Sequence, residues 1–216
     1  MRPSQYPEIG NRPAIRRLLH IQVDMQFADL KTLLCLPRDE PGLRAGCNLP
    51  AVTLAVNVIA GASVLFWNSA PEALRQRNDR GKRFRELMIE KYPWSEHDAV
   101  DGELGARLLW DHTRNPLSHA LGVGKTAELF PGIDTGQGGV WLSKPEMGLP
   151  EAVVERLLSS YERPDWVGAT VGSEPSGYVV NVVALSWGVQ RMLRNLFEDA
   201  EQTNAAEMTA QSLLRS

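Results

Sequence analysis

The chain predicts a mostly α-helical fold: a helical bundle with one long Gly/Pro-rich loop and at most a short β element. Three observations predict it. Apolar residues recur at helical spacing over much of the sequence. A charge-free stretch of helix length lies in its first third. The alternating strand–helix pattern of a nucleotide-binding sheet is missing. At 216 residues, 43% hydrophobic and 23% charged, the chain suits one globular domain with a substantial core. We divide it into a flexible N-terminal tail (1–12), a single helical domain (13–200) and a polar C-terminal tail (201–216) that is either a helical extension or frayed.

Pro13 suits the first turn of a helix running to about Leu36. Ile15, Leu18, Leu19, Val23, Phe27, Leu30 and Leu34 give that helix its apolar stripe. PRDEPGLRAGCNLP, 37–50, reads as a loop punctuated by Pro and Gly. The uncharged helix follows, to about Trp67. Leu49–Trp67 is long enough to span a bilayer, but Thr53, Asn57, Gly61 and Ser63 interrupt it, and a core helix buried on all sides is the expectation. A highly charged helix spans 71–92 and ends before Pro93. The next carries Ala99, Leu104, Leu108 and Leu109 on its apolar side. Residues 122–150 hold seven Gly and three Pro, a long irregular excursion with a short strand near Val140–Leu142. Two further helices are expected, over 150–162 and 176–199, the second placing Asn181 within an apolar run as Asn57 is placed in the uncharged helix.

The net charge of −3 excludes a protein that is basic all over, so any phosphate binding needs a local patch. Cys35 and Cys47, the two cysteines, form no C-x-x-C pair and read as reduced, mostly buried thiols of a cytoplasmic protein. The N-terminus has no apolar h-region, which predicts no secretory signal. The histidines and acids, His97, Asp111 and His112 among them, make no ligand pattern, so no metal and no other cofactor is expected.

One stretch carries chemistry: RNPLSHALGVGKT, 114–126. Gly124, Lys125 and Thr126 end like a Walker A loop, but the first Gly of that motif would fall on His119, and no strand is expected upstream. Arg114 and His119 read better. Asn115 is a good helix N-cap and Pro116 suits the first helical position. Arg114 is then N′ and His119 N4, positions that a helix start brings together. A guanidinium and an imidazole would converge beside a helix N-terminus, where backbone N–H groups favour phosphate. His119 can move a proton near neutrality. Arg114 can clamp phosphate oxygens, so the pair suits metal-independent cleavage of RNA through its 2′-hydroxyl. A capped helix with an exposed Arg and a packed His is the alternative.

RNPLSH resembles the R-x(4–6)-H motif of the HEPN superfamily, α-helical bundles that include many ribonucleases of toxin–antitoxin, CRISPR-linked and phage-defence systems. The resemblance implies that Arg114 and His119 are the catalytic pair and Asn115 a polar support. It implies a homodimer with a composite, isologous cleft, and an antitoxin or regulatory partner. His112, Thr113 and Lys125 are candidates to line the cleft. The run Arg75, Arg77, Arg80, Lys82, Arg83 and Arg85, against the single acid Asp79, is a candidate RNA-backbone stripe. A solvated helix face reads the same way. A catalytically silent helical dimer that binds protein or nucleotide is the competing function, and a membrane-attached protein using 49–67 a third.

Overall fold

The computed structural model describes residues 9–37, 40–41, 47–66, 80–114, 139–175 and 177–215, with the backbone alone at 21, 22, 114, 139 and 141. The fold is mostly helical with a small sheet.

The first helix runs as expected but not uniformly. It comprises α1 (Pro13–Leu18), a π-helical segment (Leu19–Asp24) and α2 (Met25–Cys35). Pro13 starts it, yet no side chain of its own caps it. The Glu207 carboxylate instead accepts from the N–H groups of Ala14 (3.2 Å) and Ile15 (2.8 Å), which a helix start otherwise leaves without intrahelical partners. At the other end Lys144 donates to the carbonyls of Leu33 (3.0 Å) and Leu36, and the Leu149 N–H donates to that of Leu34 (2.9 Å). Gly148 sits at φ +74° against the Cys35 and Leu36 carbonyls, where a Cβ has no room. Burial lowers the Lys144 pKa.

The uncharged stretch forms α3 (Asn48–Phe66). Among the described residues it is the one helix long and apolar enough to cross a membrane, and half of that window is buried inside the protein. Its buried face (Ala51, Val52, Ala55, Val56, Ile59) packs on α2 and on helices later in the chain. The charged helix is α4 (Arg80–Lys91), ending at Tyr92 before Pro93; its expected start at Pro71 lies outside the described residues. Next is α5 (Gly102–Leu109), whose N-cap Asp101 accepts from the Leu104 N–H at 2.8 Å. Ala99, assigned from sequence to this helix, lies outside it and donates its N–H to the Val171 carbonyl.

The expected strand is β1 (Gly139–Ser143), followed by α6 (Glu151–Ser159). It has partners that the periodicity does not announce. β2 (Val171–Glu174) and β3 (Gly177–Asn181) form an antiparallel pair, and β1 pairs with β3 in parallel, giving the order β1-β3-β2. The helix expected over 176–199 is thus shorter: α7 (Val182–Glu198) begins after β3. Asn181 is not inside that helix but caps it, accepting from Val183 N (3.0 Å) and Ala184 N (3.1 Å). α7 is buried nearly all round and forms the centre of the core.

Of the two expectations for the last residues, the helical extension holds, through Arg215. α8 (Ala200–Arg215) buries Thr203, Ala206 and Ala210 against α1 and α3. Residues 9–12 are also anchored: Ile9 is 2% exposed and Arg12 donates to Asn204 Oδ1 at 2.7 and 3.0 Å. Cys35 and Cys47 are free thiols, half-buried and buried.

Candidate functional site

α5 continues into a π-helical turn, Trp110–Arg114, so the chain widens by one residue just as it reaches the candidate motif. Such turns occur often at functional sites. Arg114 is itself helical, the last described residue of this run, and its expected place as N′ of a following helix turns on residues outside the described ones. Asn115, His119 and Lys125 lie outside the described residues, as do the expected helix start and Gly124–Thr126. The segment before them is helical, not the strand a Walker A loop follows.

His112 is half-buried and Asp111 exposed. Thr113 does not line a cleft. It is 1% exposed, and its hydroxyl turns back to donate to the Leu109 carbonyl one turn earlier. Its side chain satisfies the widened turn and faces the core.

Two tryptophans hold the motif's helix against α4. The Trp110 ring lies 5.2 Å from that of Phe84, and Gly81 lets its edge approach to 2.8 Å of where a Cβ would stand. Trp94 donates its indole N–H to the Met88 carbonyl at 2.9 Å and lies across Gly102 and Gly105. Glycine at 81, 102 and 105 is therefore a matter of close approach. The basic helix and the turn ending at Arg114 are packed neighbours.

Of the candidate stripe, Arg75 and Arg77 lie outside the described residues. Arg80 is exposed; Lys82, Arg83 and Arg85 are half-buried. Lys82 pairs with Glu86 at 3.9 Å, a part-exposed i,i+4 contact of little energetic weight. The opposite face of α4 (Phe84, Leu87, Met88) is core.

A second polar cluster was not singled out from sequence. Arg163 donates to the Pro93 carbonyl (3.1 Å), the Gly168 carbonyl (3.1 Å) and Thr170 Oγ1 (3.2 Å), and lies 3.8 Å from the Asp98 carboxylate. Asp98 accepts from Ser95 N and Val171 N, both at 2.8 Å. Tyr92 Oη meets Thr170 Oγ1 at 3.0 Å, and burial pushes its phenol above the usual tyrosine range. Arg163 and Asp98 are tied to these internal partners, so the cluster braces the sheet to α7. Among the described residues no group of three His, Cys, Asp or Glu is placed to hold a metal ion. No family model, curated protein or solved structure matches this chain.

Proposed function

We propose that the protein is a HEPN-like, metal-independent endoribonuclease acting as a homodimer in the cytoplasm, of the kind found in toxin or defence systems. His119 would serve as general base and acid, Arg114 as the clamp on the developing phosphorane, and Asn115 as a positioning residue. The 2′-oxygen attacks the adjacent phosphorus and the 5′-oxygen leaves with a proton, so the products carry 2′,3′-cyclic phosphate and 5′-hydroxyl ends. One observation supports this reading most: the basic helix α4 packs directly on the turn that ends at Arg114, through Trp110, Phe84 and Gly81. That adjacency would set a phosphate-binding stripe beside the motif. Two free thiols and the half-buried α3 support a cytoplasmic setting.

The test is RNA cleavage in EDTA by wild type, Arg114→Ala and His119→Ala, with analysis of the product ends. Cyclic-phosphate ends from wild type, and none from either variant, are expected. Undiminished cleavage by His119→Ala would sink the mechanism. A folded wild-type dimer that cleaves nothing would favour the silent binding module, a reading that the core-facing Thr113 suits.

A further inference from the structure

The uncharged α3 does not bury all of its apolar surface. Between it, the first helix, α7 and α8 lies a cleft of about 260 Å³, open to solvent on the side of Gly61, Val64 and Leu213. Leu19 and Val23 of the π-helical segment, Gly61 of α3, Phe197 of α7 and Leu213 of α8 are among its walls. The π-helical segment widens the first helix just where it lines this space. Gly61 leaves it open: a Cβ built there meets nothing within 4 Å.

Among the described residues of the lining, two side chains are polar, the amides of Asn57 and Gln26, and none is charged. Asn57 is half-buried in the middle of an apolar helix and has no hydrogen-bond partner among the described residues. An apolar pocket with one or two convergent polar groups is the usual form of a small-molecule site. The amide can donate to a carbonyl or accept from a hydroxyl. With no Lys, Arg or His among the described residues of the wall, a carboxylate or phosphate would sit there unpaired, at heavy cost. Size sets the other limit. An apolar cavity of roughly 150 Å³ holds a six-carbon ring. Scaled by volume, this cleft covers about ten heavy atoms of a ligand.

We propose that this cleft binds a small neutral amphiphile: an apolar body of about ten heavy atoms ending in one hydroxyl or carbonyl that Asn57 engages. The site is separate from the Arg114 motif and stands whether or not the nuclease reading does.

The probes are 1-octanol and octanoate, equal in chain length and different in charge. Each is titrated into the full-length protein while the Asn57 side-chain amide is followed by NMR. Saturable binding of octanol is expected, with octanoate at least about tenfold weaker because its charge finds no partner. Asn57→Leu should weaken octanol by about 3–10-fold, the loss of one hydrogen bond. Gly61→Leu fills the cleft and should abolish binding while the protein stays folded. Should it fold poorly, Val64→Trp, at a lining residue already 37% exposed, fills the same space. Absence of saturable octanol binding, equal binding of octanoate, or undiminished binding by a folded filling variant would each overturn the proposal.

Discussion

Two helical glycines make one substitution a test of the packing. Gly61 in α3 and Gly188 in α7 both lie in helix interiors, where alanine is favoured by about 0.5–1 kcal/mol. At Gly61 the new methyl meets nothing within 4 Å, so Gly61→Ala should gain that amount in full. At Gly188 the methyl would overlap the hydroxyl and ring of the buried Tyr92. Tyr92 is held by Thr170 Oγ1 at 3.0 Å and the Ala184 carbonyl at 3.4 Å, so it cannot retreat freely. Overpacking costs about 1–3 kcal/mol and a disturbed hydrogen bond about 0.5–1.5. After the propensity gain, Gly188→Ala should lose about 1–3 kcal/mol. Urea denaturation reads both as shifts in midpoint at constant slope. Shifts of the same sign would refute the packing derived for α7 against Tyr92.

Two further outcomes follow from buried groups. Glu207→Ala should cost about 2–3 kcal/mol and Glu207→Gln about half as much, since the amide keeps one acceptor for Ala14 or Ile15; hydrogen exchange at those two amides should accelerate, and a neutral Glu207→Ala would remove the carboxylate from its role as cap. Tyr92 should set an alkaline limit. Its folded pKa lies above its unfolded one, so the native state binds more protons above about pH 10. Its contribution is complete below pH 10 and is lost as pH rises further. Tyr92 should therefore ionise only with unfolding, seen as tyrosinate absorbance coinciding with loss of ellipticity. Tyr92→Phe should lose that coincident step, and a free titration of all tyrosines near pH 10 in the folded protein would contradict the burial.

The elements legible in the sequence are those whose signal is local. The first helix, the uncharged α3 and the stop of α4 before Pro93 follow from 3.6-residue periodicity and proline. The short strand near Val140 was readable, but its partners were not. GYVVNVVALSW is a continuous apolar run, and periodicity cannot separate a buried strand from a buried helix in such a run. Asn181 is the point of change, and its N-cap character was the available signal. The polar C-terminal residues looked like a tail because the stripe of Thr203, Ala206 and Ala210 is made of small side chains. Of the candidate site, the sequence supplied the motif and the basic run. It did not supply their adjacency, which depends on Trp110 lying over Gly81. Nor did it show that Thr113 faces inward, since a threonine hydroxyl can bond its own helix as readily as line a cleft.

The helix from Pro13 to Cys35 shows most clearly why local reading stops short. It has no capping side chain of its own at its start and an extended residue, Leu36, at its end. A carboxylate from Glu207 meets its N-terminus and an ammonium from Lys144 its C-terminus, each sign opposing the helix dipole at that end. The caps come from positions 193 and 111 residues away in sequence from a partner they bond, distances no motif scan spans. The consequence reaches the cleft. α8 supplies both Glu207, which fixes the start of one cleft wall, and Leu213, which lines the cleft itself. The C-terminal helix is thus bound to the shape of that space twice, once through a cap and once through a contact, and two of the polar residues that made it read as a tail, Thr203 and Glu207, are buried.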